Sequence, residues 1–138
     1  MDQSWVKLGF YEMRPSLRKA GLALVTVLGS SPSALAAGDP SAGQTVFAAH
    51  CAICHSTEPG VNKIGPSLAG IVGSKSGSVS EFDLSAGMKE ANVRWDDAHL
   101  DKFLANAVGF VHGTKMFVNL PGEPDRQNVI AYLNTLKK

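Results

Sequence analysis

The chain falls into stretches of different texture when its apolar and polar positions are followed from one end to the other. "AGLALVTVLG", from Ala20 to Gly29, is uncharged and mostly apolar, and Arg14, Arg18 and Lys19 precede it. "GDPSAGQTVFAAHC" reads as the start of a helix, with Asp39 as cap, Pro40 in the first turn and Val46 and Phe47 on an apolar face. From His55 to Gly77 the chain is rich in Gly, Pro and Ser and predicts loop, with at most one short turn near Ser67 to Gly70. "SAGMKEAN" predicts a short helix capped by Ser85. "DDAHLDKFLANA" predicts another, capped by Asp96, with Leu100, Phe103 and Leu104 on one face. Asn106 to Gly122 breaks into apolar loop. "EPDRQNVIAYLNTLKK" is the strongest helical pattern: Pro124 and Asp125 stand at its start, two lysines at its end, and Val129, Ile130, Leu133 and Leu136 form a stripe. Strand-like alternation is almost absent. The pattern predicts an all-α domain of short helices and long loops, and long loops in a compact domain need something to pack on.

The first stretch changes the domain count. A basic region, a short apolar run and "SSPSALAA", with Ala34 and Ala36 in the A-x-A arrangement, have the layout of a secretory signal peptide. The alternative is an uncleaved anchor, but the apolar run is half the roughly 20 residues that a membrane-spanning helix needs. Residues 1–36 are therefore expected to be removed, leaving 37–138 as one domain of 102 residues. The basic region is long, which leaves Met13 as an alternative start. Export places the mature chain in the periplasm. From Ala37 onward nine Lys and Arg face ten Asp and Glu, a net charge of about −1. No basic stripe remains, so nucleic-acid binding has no support. A domain of this size has a modest core, which a large apolar cofactor would help to fill.

"HCAICH", His50 to His55, carries the candidate chemistry. Zinc needs four ligands, yet a second cysteine pair is missing, and no H-x(3–5)-H spacing accompanies this one. A thioredoxin-like dithiol starts a helix after a strand, whereas this pair follows a predicted helix. A disulfide between cysteines this close would add little stability. C-x-x-C-H is the spacing of c-type haem attachment: Cys51 and Cys54 reach the two vinyl groups, and His55 lies next in line under the iron. The iron then needs a sixth ligand or an open site. Met116, in the apolar stretch "GFVHGTKMFV" 61 residues beyond His55, is the candidate; a thioether there raises the potential and closes the iron to small ligands. Met13 falls in the leader and Met88 in a short polar helix, so both rank below it.

With these residues in view the chain resembles the class I cytochromes c, the soluble bacterial and mitochondrial type. The resemblance spans Gly38 to Leu136 and rests on "GDPSAGQTVF" before "CAICH", then "GPSLAGIVG", "MKEANVRW", "GTKM" and "VIAYL". It implies the small cytochrome c fold, wrapped around one covalent haem c, with the first and last helices crossing where Gly43 and Phe47 meet Val129 and Tyr132. It implies that the Pro66 carbonyl accepts the ring N–H of His55, and that Trp95 donates its indole N–H to a haem propionate.

Several positions depart from the family's common pattern. Leu84 and Ser74 stand where a tyrosine and an arginine often meet the propionates. Phe103 and Phe110 replace tyrosines, and Ala107 and His112 replace prolines of the methionine loop. His112, four residues before Met116, would remove a backbone restraint and add a stronger iron ligand, with Lys115 as its rival at higher pH.

The resulting expectation is a monomeric, periplasmic single-electron carrier rather than an enzyme, with His55 and Met116 as axial ligands. It has no stable membrane anchor after cleavage, and its partners are redox proteins such as an oxidase, a bc-type complex or a dehydrogenase. The competing readings are a haem subunit of a periplasmic dehydrogenase, a peroxidase-like catalyst and a gas-binding sensor. An open iron marks the catalyst and the sensor.

Overall fold

The structure is a computed structural model that describes residues 38–79 and 81–138. The signal-peptide expectation for 1–36 lies outside the described residues. Five helices follow one another: α1 Pro40–His50, α2 Ala86–Glu90, α3 Asp97–Ala105, α4 Ala107–Phe110 and α5 Glu123–Thr135. Among the described residues the only extended pairing is a single antiparallel bridge between Lys75 and Arg94.

The helix starts follow from side-chain acceptors. Asp39 accepts from the Ser41 N–H at 2.8 Å and Asp96 from the His99 N–H at 2.8 Å, which relieves donors that no helical carbonyl can reach. The Ser41 hydroxyl, which also donates to Asp39 at 2.8 Å, and the His99 N–H at Asp96 favour the ionised carboxylates, so both carboxyls sit below their ordinary pKa. Ser85 caps α2 in the same way, accepting from the Met88 N–H.

Two boundaries differ from the sequence pattern. The stretch expected to be loop from Asn106 contains α4, one turn capped by the Asn106 side chain, which accepts from the Gly109 N–H at 3.0 Å. A single turn is too short to show the 3.6-residue period. The last helix ends at Thr135, so Lys137 and Lys138 lie beyond it and no basic residue occupies its last turn.

α1 and α5 cross in direct contact. A Cβ on Gly43 would collide with the Asn128 carbonyl oxygen and lie 2.8 Å from the Tyr132 Cβ, so only glycine lets the two backbones meet here. The Phe47 and Tyr132 rings pack at 5.5 Å beside the crossing, and the Asp39 N–H donates to the Asn128 side chain at 2.8 Å. The stripe Val129, Ile130 and Leu133 is buried beneath them, joined by Leu100, Phe103 and Leu104 of α3. Arg126 of α5 binds Asp101 of α3 at 2.8 Å and caps the Leu120 and Pro121 carbonyls, fixing α5 against α3.

The long connection behaves differently. No described residue from Thr57 to Arg94 is buried, although Leu68, Ile71, Val79, Phe82, Leu84 and Met88 all fall within it. Those apolar side chains turn inward to line a cavity, and Leu68, Ile71 and Met88 also pack against the edge of the core.

Candidate functional site

That cavity measures about 510 Å³, within the roughly 300–1,000 Å³ typical of small-molecule and cofactor sites. Cys51, Cys54, His55, Pro66, Trp95 and Met116 all line it, although they are spread over 66 positions of sequence. Four segments deliver them, Trp95 coming from the connection between α2 and α3. The turn after α1 brings the cysteines and His55, the loop after it brings Pro66, and the stretch after α4 brings Met116.

The turn is built by the end of α1. The Cys51 and Ala52 N–H groups both donate to the Phe47 carbonyl, at 2.8 and 2.9 Å, and the His55 N–H donates to the Cys51 carbonyl at 2.9 Å. His55 Nδ1 lies 2.8 Å from the Pro66 carbonyl oxygen. A carbonyl can only accept, so Nδ1 carries the proton and Nε2 keeps its lone pair. Gly65 lies flat against the same ring: a Cβ there would collide with His55 Cε1 and reach Nδ1 at 2.8 Å. Ring tautomer and ring plane are thus both fixed by the backbone of Pro66 and Gly65. Burial lowers the His55 pKa, and Lys63 adds to this against the raising effect of the Pro66 bond; the neutral imidazole is favoured.

Burial, with the neighbouring Cys54 charge, pushes the Cys51 thiol up to about 11. No disulfide joins Cys51 and Cys54, and burial disfavours a Cys51 thiolate. That environment is the reverse of the electropositive setting that creates a reactive thiolate. Among the described residues no group of three His, Cys, Asp or Glu could hold a metal ion.

Trp95 is 4% exposed and packs against Phe103 at 5.0 Å. Its backbone pairs with Ser74 and Gly73, which fixes it at the cavity wall while its indole N–H makes no hydrogen bond to a described residue. Met116 is half-buried, and its N–H donates to the Thr114 hydroxyl at 3.2 Å. Thr114 is itself buried and lines the cavity.

The comparison with known proteins follows this geometry. The family model described as cytochrome c matches residues 40–137. The chain belongs to the cytochrome c family. It is 48% identical over 107 residues to cytochrome c2 of Rhodomicrobium vannielii, covering 76% of this chain and 85% of that protein. It is 42% identical to cytochrome c of Euglena viridis, covering 72% of this chain and 99% of that protein. Its fold matches the solved structure of cytochrome cH from Methylobacterium extorquens with a TM-score of 0.67 and 38% identity, covering 71% of this chain and 99% of that one.

Proteins of this family are electron-transfer proteins, not enzymes, and carry one covalently attached haem c; Cys51 and Cys54 supply the C-x-x-C-H motif. The cavity fits that group. Its lining is dominated by apolar side chains, it holds two thiols and an imidazole with a free Nε2, and it borders a loop layer that has no protein core of its own.

Met88, ranked below Met116 as an iron ligand, also lines the cavity, from α2, and so do Lys75 and Phe82 of the loop, which the sequence pattern did not single out. Met88 is the one large apolar residue in a five-residue helix, too short a stretch to declare a face. Leu84, Phe103 and Lys115 also line the cavity; His112 and Ser74 do not. His112 is exposed and borders a separate cavity with Glu90 and Phe110. Ala107, in place of a proline, is fully buried, and its N–H donates to the Asn119 side chain at 2.9 Å, a bond that proline could not make.

Proposed function

We propose that the protein is an exported, periplasmic single-electron carrier whose haem iron is held between His55 Nε2 and the Met116 thioether. The observation that carries this is the His55–Pro66 bond of 2.8 Å, which leaves Nε2 as the free lone pair of a ring held at the wall of a cavity that Met116 also lines. Haem, when bound, supplies an iron that takes up and releases one electron. Every other part belongs to the chain. Cys51 and Cys54 anchor the group as thioethers. Pro66 and Gly65 hold the imidazole in one tautomer and plane, so little need rearrange between oxidation states. The apolar lining keeps water from the iron, and Met116 adds a soft ligand, both of which favour the reduced form. Trp95 offers its indole N–H to a haem carboxylate.

Export rests on the layout of residues 1–36, and the partners are membrane or periplasmic redox proteins that meet the cavity mouth. No helix among the described residues is long and apolar enough to cross a membrane. There Ile64 and Phe117, each 75% exposed, line the cavity and also face solvent.

The test is the absorption spectrum of the reduced holoprotein with and without carbon monoxide. A closed iron leaves the spectrum unchanged in wild type, and Met116→Ala makes it respond. Ready carbon monoxide binding by wild type would replace this reading with that of a catalyst or gas sensor. The N-terminal sequence of protein recovered from the periplasm should begin at Ala37; a retained leader would overturn the cleaved form.

A further inference from the structure

The segment that contains α2 meets the methionine loop at two separate points. At the first, two backbones touch with no side chain between them. A Cβ on Gly87 would collide with the His112 carbonyl oxygen and would lie 3.0 Å from the carbonyl carbons of His112 and Gly113. Only a residue without a Cβ permits that approach. Gly113 has φ +78°, so the loop reverses direction where α2 presses on it. At the second point the Asp83 carboxylate lies between Lys89 of α2, at 3.2 Å, and Lys115, at 3.7 Å, the residue before Met116.

From the core side the loop is held by Val111 and Thr114, both buried, and by the Leu120 N–H, which donates to the Leu104 carbonyl at 2.8 Å. The Thr114 N–H donates to the Val111 carbonyl at 3.1 Å and the Met116 N–H to the Thr114 hydroxyl at 3.2 Å, both bonds within the loop itself. A second cavity, about 270 Å³, lies between Gly87 and Glu90 of α2 and Phe110 to His112. The loop therefore has unfilled space beside it, and the Gly87 contact sits at the edge of that space. α2 is anchored in turn: Ser85 caps it, and its Met88 lines the haem cavity.

The geometry points to Gly87 as a positioning residue for Met116: the bare Cα of α2 sets how far the loop can approach, and thus whether the thioether reaches the iron. This rests on the assignment of Met116 as an axial ligand. A side chain at position 87 must displace either α2 or the loop. The loop can yield at this contact, because His112 is exposed and borders the second cavity, whereas α2 is capped by Ser85 and its Met88 lines the haem cavity. Asp83 is a lesser link, since an exposed ion pair holds weakly.

Gly87→Ala is compared with Ala48→Gly, which weakens an exposed turn of α1 through helix propensity and touches neither α2 nor the loop. Both holoproteins are followed by the weak near-infrared methionine–iron band in the ferric form and by carbon monoxide binding in the ferrous form. In Gly87→Ala the haem stays attached while the ratio of open to methionine-ligated iron rises by roughly 5–30-fold, the factor that goes with ordinary overpacking. In Ala48→Gly the unfolding midpoint falls and the band persists. A wild-type band in Gly87→Ala, with no response to carbon monoxide, overturns the positioning role. Absence of the band from wild type itself overturns the Met116 assignment instead, so the two failures are distinct. If Gly87→Ala does not assemble, amide exchange in the wild-type holoprotein decides the matter. Lys89 and Thr114 open with one equilibrium constant if α2 and the loop move together, and unequal constants refute it.

Discussion

The α1–α5 crossing and the loop layer from Thr57 to Arg94 are opposite in construction. The crossing is protein on protein: Gly43 seats against Asn128, Phe47 against Tyr132, and Val129 is 1% exposed beneath them. In the loop layer no described residue is buried: Leu68 and Ile71 pack only against the edge of the core, and Leu68, Ile71, Phe82 and Leu84 all line the cavity. The first region satisfies its apolar surface from within the chain. The second leaves its apolar surface to be covered by the haem, so cofactor and loop fold share one driving force.

That contrast breaks most visibly if the attachment is removed. Cys51→Ala with Cys54→Ala should lack covalent haem and lose cooperative unfolding, because a large share of the apolar lining then faces water. Urea titration followed by far-ultraviolet circular dichroism reads this out. A compact, cooperatively unfolding double variant without haem would show that the loops have a core after all.

A smaller effect belongs to the crossing alone. Gly43→Ala forces α1 and α5 apart and should destabilise the holoprotein by about 1–3 kcal/mol, the usual cost of overpacking. The visible spectrum should not change, because the ligands lie elsewhere. A lost methionine–iron band in this variant would mean that the two regions are coupled more tightly than their packing suggests.

Smaller again is the acid side of stability. The Asp96 carboxyl is held below its ordinary pKa by the His99 N–H, and the Asp39 carboxyl by the Ser41 hydroxyl and then the Ser41 N–H. A depressed carboxyl stabilises the fold above its unfolded pKa, and that contribution disappears as pH falls through the folded value. Asp96→Ala should therefore lower the unfolding midpoint slightly at neutral pH and flatten its decline below about pH 4. An unchanged acid limb in the variant would assign that limb to other carboxylates.

Weaker still is the response of docking to salt. Lys89 and Lys115 share Asp83, the charge from Ala37 onward is about −1, and Ile64 and Phe117 stand exposed at the cavity mouth. Raising ionic strength from low to physiological should change electron-transfer rates with a redox partner only slightly. A steep fall would reveal a basic docking patch. The smallest expected effect is that of His112→Pro on the pH at which the methionine–iron band fades. His112 lies outside the haem cavity while Lys115 lines it, so the two pH values should coincide. A shifted value in the variant would make His112 the incoming ligand.

Much of the site could be read from residues alone because its chemistry is local. Cys51, Cys54 and His55 are consecutive in purpose and nearly consecutive in sequence, and no spare cysteine competes with them. The caps at Asp39, Ser85 and Asp96 were equally legible, since a capping side chain acts on an N–H two or three residues away. Met88 and Lys75 were not legible, because their place at the cavity depends on how a loop closes over it.

The amino-acid sequence determined the haem motif, an all-helical domain and the stripe Val129, Ile130 and Leu133, all of which follow from short-range spacing. The tertiary structure alone decided that α4 forms where the apolar period fails, that α5 stops at Thr135, and that His112 faces a different cavity from Met116. It also decided that Gly87 lies against the His112 carbonyl, 25 residues away in the chain. These are contacts between segments, and their energies depend on distances that no local pattern encodes.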